Sequence, residues 1–319
     1  MKTPYQRSSD FSNQKLTELR RSLANIPPET DVVLTCGSYA RREASQASDL
    51  DFFVITRSNT NSDDPKAVNA DLPWVESVHH ALSAIVPVEA SADGAFGDVV
   101  NRSSLLLNIG GEQDTNHNIT RRMLFLLEGE ALFNADELKK VRREILERYI
   151  SDKMTDHQLA LFLLNDVIRY YRTMATDYEF KTVETAKPKP WGIRNIKLVF
   201  SRKLLYASGL FSVAMTADRT RDDKIELLAN YFEMPVIDRM EEICGKERLA
   251  GVMSSYNYFL DRLERPEIRE HLNVLKREQR DDVVFRDLKN EGHHFTRELL
   301  KLFESTFDST HPIRRAVIF

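Results

Sequence analysis

Two short apolar runs, Asp31-Val32-Val33-Leu34-Thr35-Cys36 and Phe52-Phe53-Val54-Ile55, are joined by a polar stretch that opens on Gly37-Ser38 and closes on Asp49-Leu50-Asp51. Runs of this length and character read as short buried strands. Gly37 then ends the first where the backbone must approach another group closely. Ser38 and the neighbouring amides are placed to hold phosphate oxygens. Asp49 and Asp51 stand two apart at the head of the second run, so on a strand both carboxylates share one face and Leu50 points into the opposite layer. Two carboxylates so placed suit Mg²⁺, a hard cation that takes oxygen ligands and substrate phosphates. The plainer reading is a capped turn followed by an ordinary edge strand.

Around this segment the pattern alternates. Leu16, Leu19 and Leu23 give Asn13 to Ala24 a helical face, which Pro27-Pro28 stops. After a polar turn at Thr60 to Pro65, residues Trp74, Val75, Val78, Ala81, Leu82 and Ile85 make an amphipathic helix, and Ile85 to Ala90 reads as a third strand. Gly94 to Gly97 breaks the pattern, Ser104 to Gly111 reads as an apolar segment ending in a glycine turn, and Asn118 to Leu132 is strongly helical. From Val141 onward the spacing is almost entirely helical. The expected fold is therefore α+β: a small mixed sheet flanked by helices over residues 1–150, with a leader helix, then a mostly helical domain over residues 151–319 that binds substrate or partner.

A chain of 319 residues with 42% hydrophobic side chains can bury a core in each of two units. A formal net charge of −4 excludes indiscriminate nucleic-acid binding driven by overall charge, although local basic patches remain open. With only Cys36 and Cys244 there is no disulfide framework, and no run approaches the length of a membrane span. These features point to a soluble cytoplasmic protein; nothing in the sequence reports its oligomeric state.

The segment resembles the active-site signature of the polymerase-β-like nucleotidyltransferase superfamily: Gly37-Ser38, an intervening helical turn, then Asp49 and Asp51 set among hydrophobic residues. With Ala40-Arg41 after Gly-Ser and Ser48 before the first Asp, it looks most like the small bacterial members. Those include antibiotic nucleotidyltransferases, the minimal nucleotidyltransferases of toxin–antitoxin pairs, and the transferase part of protein-uridylylating enzymes. The resemblance implies Mg²⁺ or Mn²⁺ held by Asp49 and Asp51, and phosphates held by Gly37 and Ser38. It also implies a third carboxylate on a neighbouring strand, for which Glu89 fits best and Asp93 and Asp98 are the other candidates. The reaction implied moves a nucleoside monophosphate from an NTP, with ATP the expected donor, to an acceptor hydroxyl or phosphate. The acceptor can be a small molecule, a protein or RNA. An RNA- or tRNA-directed toxin, or a catalytically silent nucleotide-binding regulator, are the competing readings.

Several further groups are candidates for anion contacts. Arg41 follows the Gly-Ser turn and is expected to reach phosphate, whereas Arg42 is expected to pair with Glu43 or solvent. The polar loop Gly110 to Asn118 can cap the next helix or wall a cleft. Thr185 to Ala217 contains no Asp or Glu, although the whole chain has 49. There Arg194, Lys197 and Ser201 fall on one helical face as a candidate nucleotide-binding stripe, with Asn165, Arg169 and Arg172 upstream as a second stripe. Trp191 can stack on a base or anchor packing.

Overall fold

The computed structural model describes residues 2–57, 72–88, 99–184 and 188–317. The sequence-based expectations for Thr60 to Pro65, Glu89, Ala90, Asp93, Gly94 to Gly97, Asp98, Thr185 and Lys187 lie outside the described residues. The chain divides into two compact units. One comprises Arg7–Met154 with Thr220–Pro235; the other comprises Met1–Gln6, Thr155–Arg219 and Val236–Phe319.

The first unit is built on a mixed sheet of four described strands in the order β3-β2-β1-β4. β1 (Val32–Thr35) and β2 (Phe52–Thr56) are antiparallel, with Thr35 opposite Phe52 and Val32 opposite Ile55. Every residue of both is buried, which is why they read as continuous apolar runs and not as an alternation. On one face, Val33, Phe52 and Val54 join a core with Leu16, Leu19 and Leu23 of α1 (Pro4–Leu23) and Val75, Val78 and Leu82 of α3 (Trp74–Ile85). Between β1 and β2 lies α2 (Gly37–Ala40). Asp31, 3% exposed, ties the strand ends together by accepting hydrogen bonds from the Thr56 hydroxyl at 3.2 Å and the Arg57 amide at 3.3 Å.

Two boundaries differ from the sequence reading. Ile85 closes α3, Val86 caps it, and no strand follows at Pro87 or Val88; the neighbour of β2 is β3 (Val99–Asn101), parallel to it. The helical period of Trp74 to Leu82 simply runs on through Ile85, and Pro87 has no amide to give a ladder. The helix expected at Asn118 to Leu132 is divided: after α4 (Arg102–Leu106) comes α5 (Asn116–Glu128), which stops at Gly129, and Glu130–Phe133 form β4 beside β1. A Cβ at Gly129 would stand 2.4 Å from the Phe125 carbonyl and 3.2 Å from Leu34, so the break occurs where only glycine fits. α6 (Ala135–Tyr149) packs on β1 and β4, and the Arg221–Glu233 helix packs on α6 with ion pairs from Lys139 to Glu233 and from Arg143 to Glu226.

The second unit is helical. Its longest members are Leu161–Glu179, Lys246–Glu264 and Val283–Thr306, and the last two supply Phe259 and Phe295 to an aromatic core in which Phe200 stacks on Phe259 at 4.6 Å and meets Phe295 at 5.1 Å. No described helix is long and apolar enough to cross a membrane.

Candidate active site

The chain leaves β1 at Thr35, reverses at Gly37 with φ of +73°, makes the single turn of α2, and returns to β2 through residues 41–51. The return is pinned at Asp51. Its carbonyl accepts hydrogen bonds from the Cys36 amide at 2.9 Å and the Thr35 hydroxyl at 2.7 Å, extending the β1–β2 pairing by one step. The side chain of Asp51 then lies directly over Gly37: a Cβ there would be 2.6 Å from Oδ2. Asp49 and Asp51 are half-exposed while Leu50 is buried, so the expected alternation is present although both carboxylates precede β2 instead of lying on it.

The approach to Asp49 is shaped by groups the apolar pattern cannot reveal. Ser48 is buried, and its hydroxyl accepts from the Ser45 amide at 3.0 Å while its own amide donates to the Ser45 carbonyl at 3.0 Å. Ser12, buried in α1, accepts the Ala44 amide at 3.2 Å. A serine three residues before a turn partner is a recognisable local signal; Ser12 has none.

The two arginines take different places. Arg42, just past the C-cap of α2, has φ of +63° and donates to the carbonyls of Tyr39 at 3.2 Å and Ala40 at 3.0 Å and to Glu130 at 2.9 Å. It is Arg41 that pairs with Glu43, at 3.0 Å, and also with Glu128. The Arg41 side chain is only 5% exposed, so a phosphate contact from it would require both buried pairs to open. We expect Arg41→Met to lower stability by about 3–5 kcal/mol, the range for breaking a buried ion pair, read as a fall in melting temperature. A normal melting temperature with a raised KM for NTP would instead return Arg41 to the phosphates.

Tyr39, 2% exposed, reports the Asp49 charge. Burial first, and then Asp49, push its phenol from 10 up to about 12. The folded chain therefore holds this proton more tightly than the unfolded chain. The resulting stability is complete below the unfolded value and is lost as pH climbs toward about 12. Thermal melts from pH 9 upward should show that Tyr39→Phe removes part of the alkaline loss and Asp49→Asn a smaller part; an unchanged slope in both would separate Asp49 from Tyr39.

The loop Gly110 to Asn118 is used internally. Thr115 caps α5 by accepting the Asn118 amide at 3.2 Å, and Asp114 receives the Gly110 amide at 2.9 Å and the buried Arg122 guanidinium at 2.7 Å. Arg194 and Lys197 lie in the helical unit on the Trp191–Lys197 helix, both half-buried. A π-helical turn follows at Leu198–Arg202, so Ser201 is buried and does not continue their face. Asn165, Arg169 and Arg172 form an exposed stripe, with Arg169 3.4 Å from Asp166. Glu89, Asp93 and Asp98 lie outside the described residues, among which no group of three His, Cys, Asp or Glu residues is arranged to hold a metal.

Residues 16–105 match the family model described as Nucleotidyltransferase domain. This stretch is a nucleotidyltransferase domain. No curated protein matches the chain. The nucleotidyltransferase domain takes in the C-terminal part of α1, the strands β1 to β3, the Gly37-Ser38 turn, and both Asp49 and Asp51. Its family indicates a transferase of nucleotidyl groups. A divalent cation suits the donor set present: two carboxylates with hard oxygens, one of them occupying the space that a side chain at residue 37 would fill.

Proposed function

We propose that the nucleotidyltransferase domain moves a nucleoside monophosphate from an NTP, with ATP as the donor, to an acceptor hydroxyl or phosphate and releases pyrophosphate. Asp49 and Asp51 are the proposed ligands of Mg²⁺ or Mn²⁺, with Glu89 as the third carboxylate. The observation that carries this reading is the close approach of the Asp51 carboxylate to Gly37, fixed by the Cys36 and Thr35 hydrogen bonds.

A divalent cation at this pair supplies charge compensation for the triphosphate. The chain itself contributes geometry. Gly37 leaves room for Asp51 and for phosphate oxygens, while Ser38 and the first amides of the turn donate to them. Thr35 and Cys36 hold the Asp51 backbone, so its carboxylate is oriented before substrate arrives. In the transfer, the acceptor oxygen bonds to the α-phosphorus as the bond to the bridging oxygen breaks, and pyrophosphate leaves with that electron pair. The acceptor proton passes to a carboxylate or to water.

An intact Asp49–Asp51 pair on a fixed turn favours a working enzyme over a silent regulator. The two cysteines, both buried and free, accord with a cytoplasmic setting. Calorimetry with each NTP tests the donor side. The proposal expects ATP to bind in Mg²⁺ and to lose at least tenfold in affinity in EDTA or on Asp51→Asn. Undiminished ATP binding under both conditions would contradict it. For the acceptor, an RNA substrate would be retained with steep salt dependence, and a small neutral acceptor would not.

A further inference from the structure

The helical unit contains a cavity of about 440 Å³ lined by Trp191 and Asn195 from one helix and by Arg280, Asp281, Phe285, Arg286, Lys289 and Asn290 from the segment that opens the Val283–Thr306 helix. This volume is in the range of small-ligand sites. Its floor is aromatic: Trp191 lies against Phe285 with centroids 4.7 Å apart and planes inclined by 35°. The Trp191 helix is itself tightly seated, because a Cβ at Gly192 would stand 2.7 Å from the Leu272 carbonyl. The indole is thus held on a rigid support, with Phe285 behind it.

The charge of the lining is unbalanced. Arg280, Arg286 and Lys289 stand against one carboxylate, Asp281, and among the described residues no ion pair engages any of the three cations. Lys289 is oriented by a neutral chain: its ammonium donates to Asn195 Oδ1 at 3.0 Å, and Asn195 Nδ2 donates to the Tyr178 hydroxyl at 2.9 Å. Only one of the three ammonium protons is used there, leaving two for a ligand. Burial holds the Lys289 ammonium below its usual value, and burial with the Lys289 charge does the same to Lys203. A bound anion would relieve both.

We propose that this cavity binds a nucleotide unit, its base on Trp191 and its phosphate on Arg280, Arg286 and Lys289. Stacking on a fixed aromatic ring beside a cationic rim is how nucleotides are held without base-edge readout. Asn195 and Asn290 supply neutral polar contacts to ribose or base. The nucleotide can be free or can belong to a single-stranded RNA, and the chemistry is the same in both. The proposal does not depend on the transfer reaction.

Trp74 and Trp191 are the two tryptophans of the chain, so Trp74→Phe leaves Trp191 as the single indole reporter. In EDTA, which suppresses metal-dependent donor binding, the variant is titrated with AMP, ribose 5-phosphate and a short single-stranded oligoribonucleotide. Saturable quenching by AMP or the oligonucleotide is expected, with ribose 5-phosphate at least tenfold weaker because it has no ring to stack. Adding Arg280→Gln and Arg286→Gln, both exposed and so safe for the fold, should weaken binding at least tenfold. Tighter binding of the oligonucleotide assigns the site to RNA; equal or tighter binding of AMP assigns it to the free nucleotide. Absence of saturable quenching, affinity untouched by the double Gln variant, or equal affinity for ribose 5-phosphate and AMP would overturn the proposal. Loss of transfer in Asp49→Asn with this binding intact would separate the two sites.

Discussion

Asp49→Asn and Asp51→Asn together are expected to lower nucleotidyl transfer by about 10³-fold or more, equivalent to roughly 4 kcal/mol of transition-state stabilisation, with little change in melting temperature. The two side chains are half-exposed, and the hydrogen bonds that set the turn are accepted by the backbone carbonyl of Asp51, which Asn keeps. The variant therefore removes charge without removing the scaffold. Circular dichroism melts and initial rates measured on the same preparations check both halves of the statement. A well-folded double variant with near-normal turnover would show that the chemistry resides elsewhere.

Gly37→Ala carries the second largest expected effect, and it divides differently. The new Cβ would sit 2.6 Å from Asp51 Oδ2, and φ of +73° places a residue with a side chain in the left-handed region. The backbone penalty is about 1–2 kcal/mol. The larger consequence is that Asp51 must rotate away, and displacement of a catalytic group by about 1 Å costs on the order of 10²-fold in rate. Gly37→Val should be worse on both counts. Activity and metal-dependent NTP affinity should thus fall well beyond what the modest loss of stability explains. Unchanged NTP affinity in Gly37→Ala would reduce the segment to a structural turn.

The parts of this site that were readable in the sequence are those fixed by local pattern. The alternation of Asp49, Leu50 and Asp51 put one residue in the core and two outside, and burial on both faces made β1 and β2 continuous apolar runs. The missed elements had weak or misleading patterns. β3 spans only Val99–Asn101, too short for a period to show, and β4 begins two residues after α5 with Leu132 still in helical phase. Only the crowding at Gly129 separates them, and that crowding comes from the Phe125 carbonyl together with Leu34, which lies far away in the chain. Arg41 and Arg42 are chemically identical neighbours. Both are buried; which one pairs with Glu43 and which with Glu130 goes with the positive φ at Arg42 and with Glu128, contributed from α5 to Arg41. The acid-free stretch drew attention to Arg194 and Lys197, yet the lining of the helical cavity joins Trp191 to Arg280, Arg286 and Lys289, some ninety residues further on. Helical packing makes that juxtaposition, and no local spacing records it.

The central claim is that this chain breaks the bond between the α- and β-phosphates of an NTP and keeps the α-phosphate on an acceptor. The most direct test uses two labels. The protein is incubated with Mg²⁺, with pools of protein, RNA and aminoglycoside, and with each NTP labelled at either the α- or the γ-phosphate. The account predicts that α-label is retained on one acceptor class while γ-label leaves as pyrophosphate, and that both events disappear in the Asp49→Asn, Asp51→Asn chain. Retention of γ-label on the acceptor, or release of γ-label as inorganic phosphate without pyrophosphate, would contradict it.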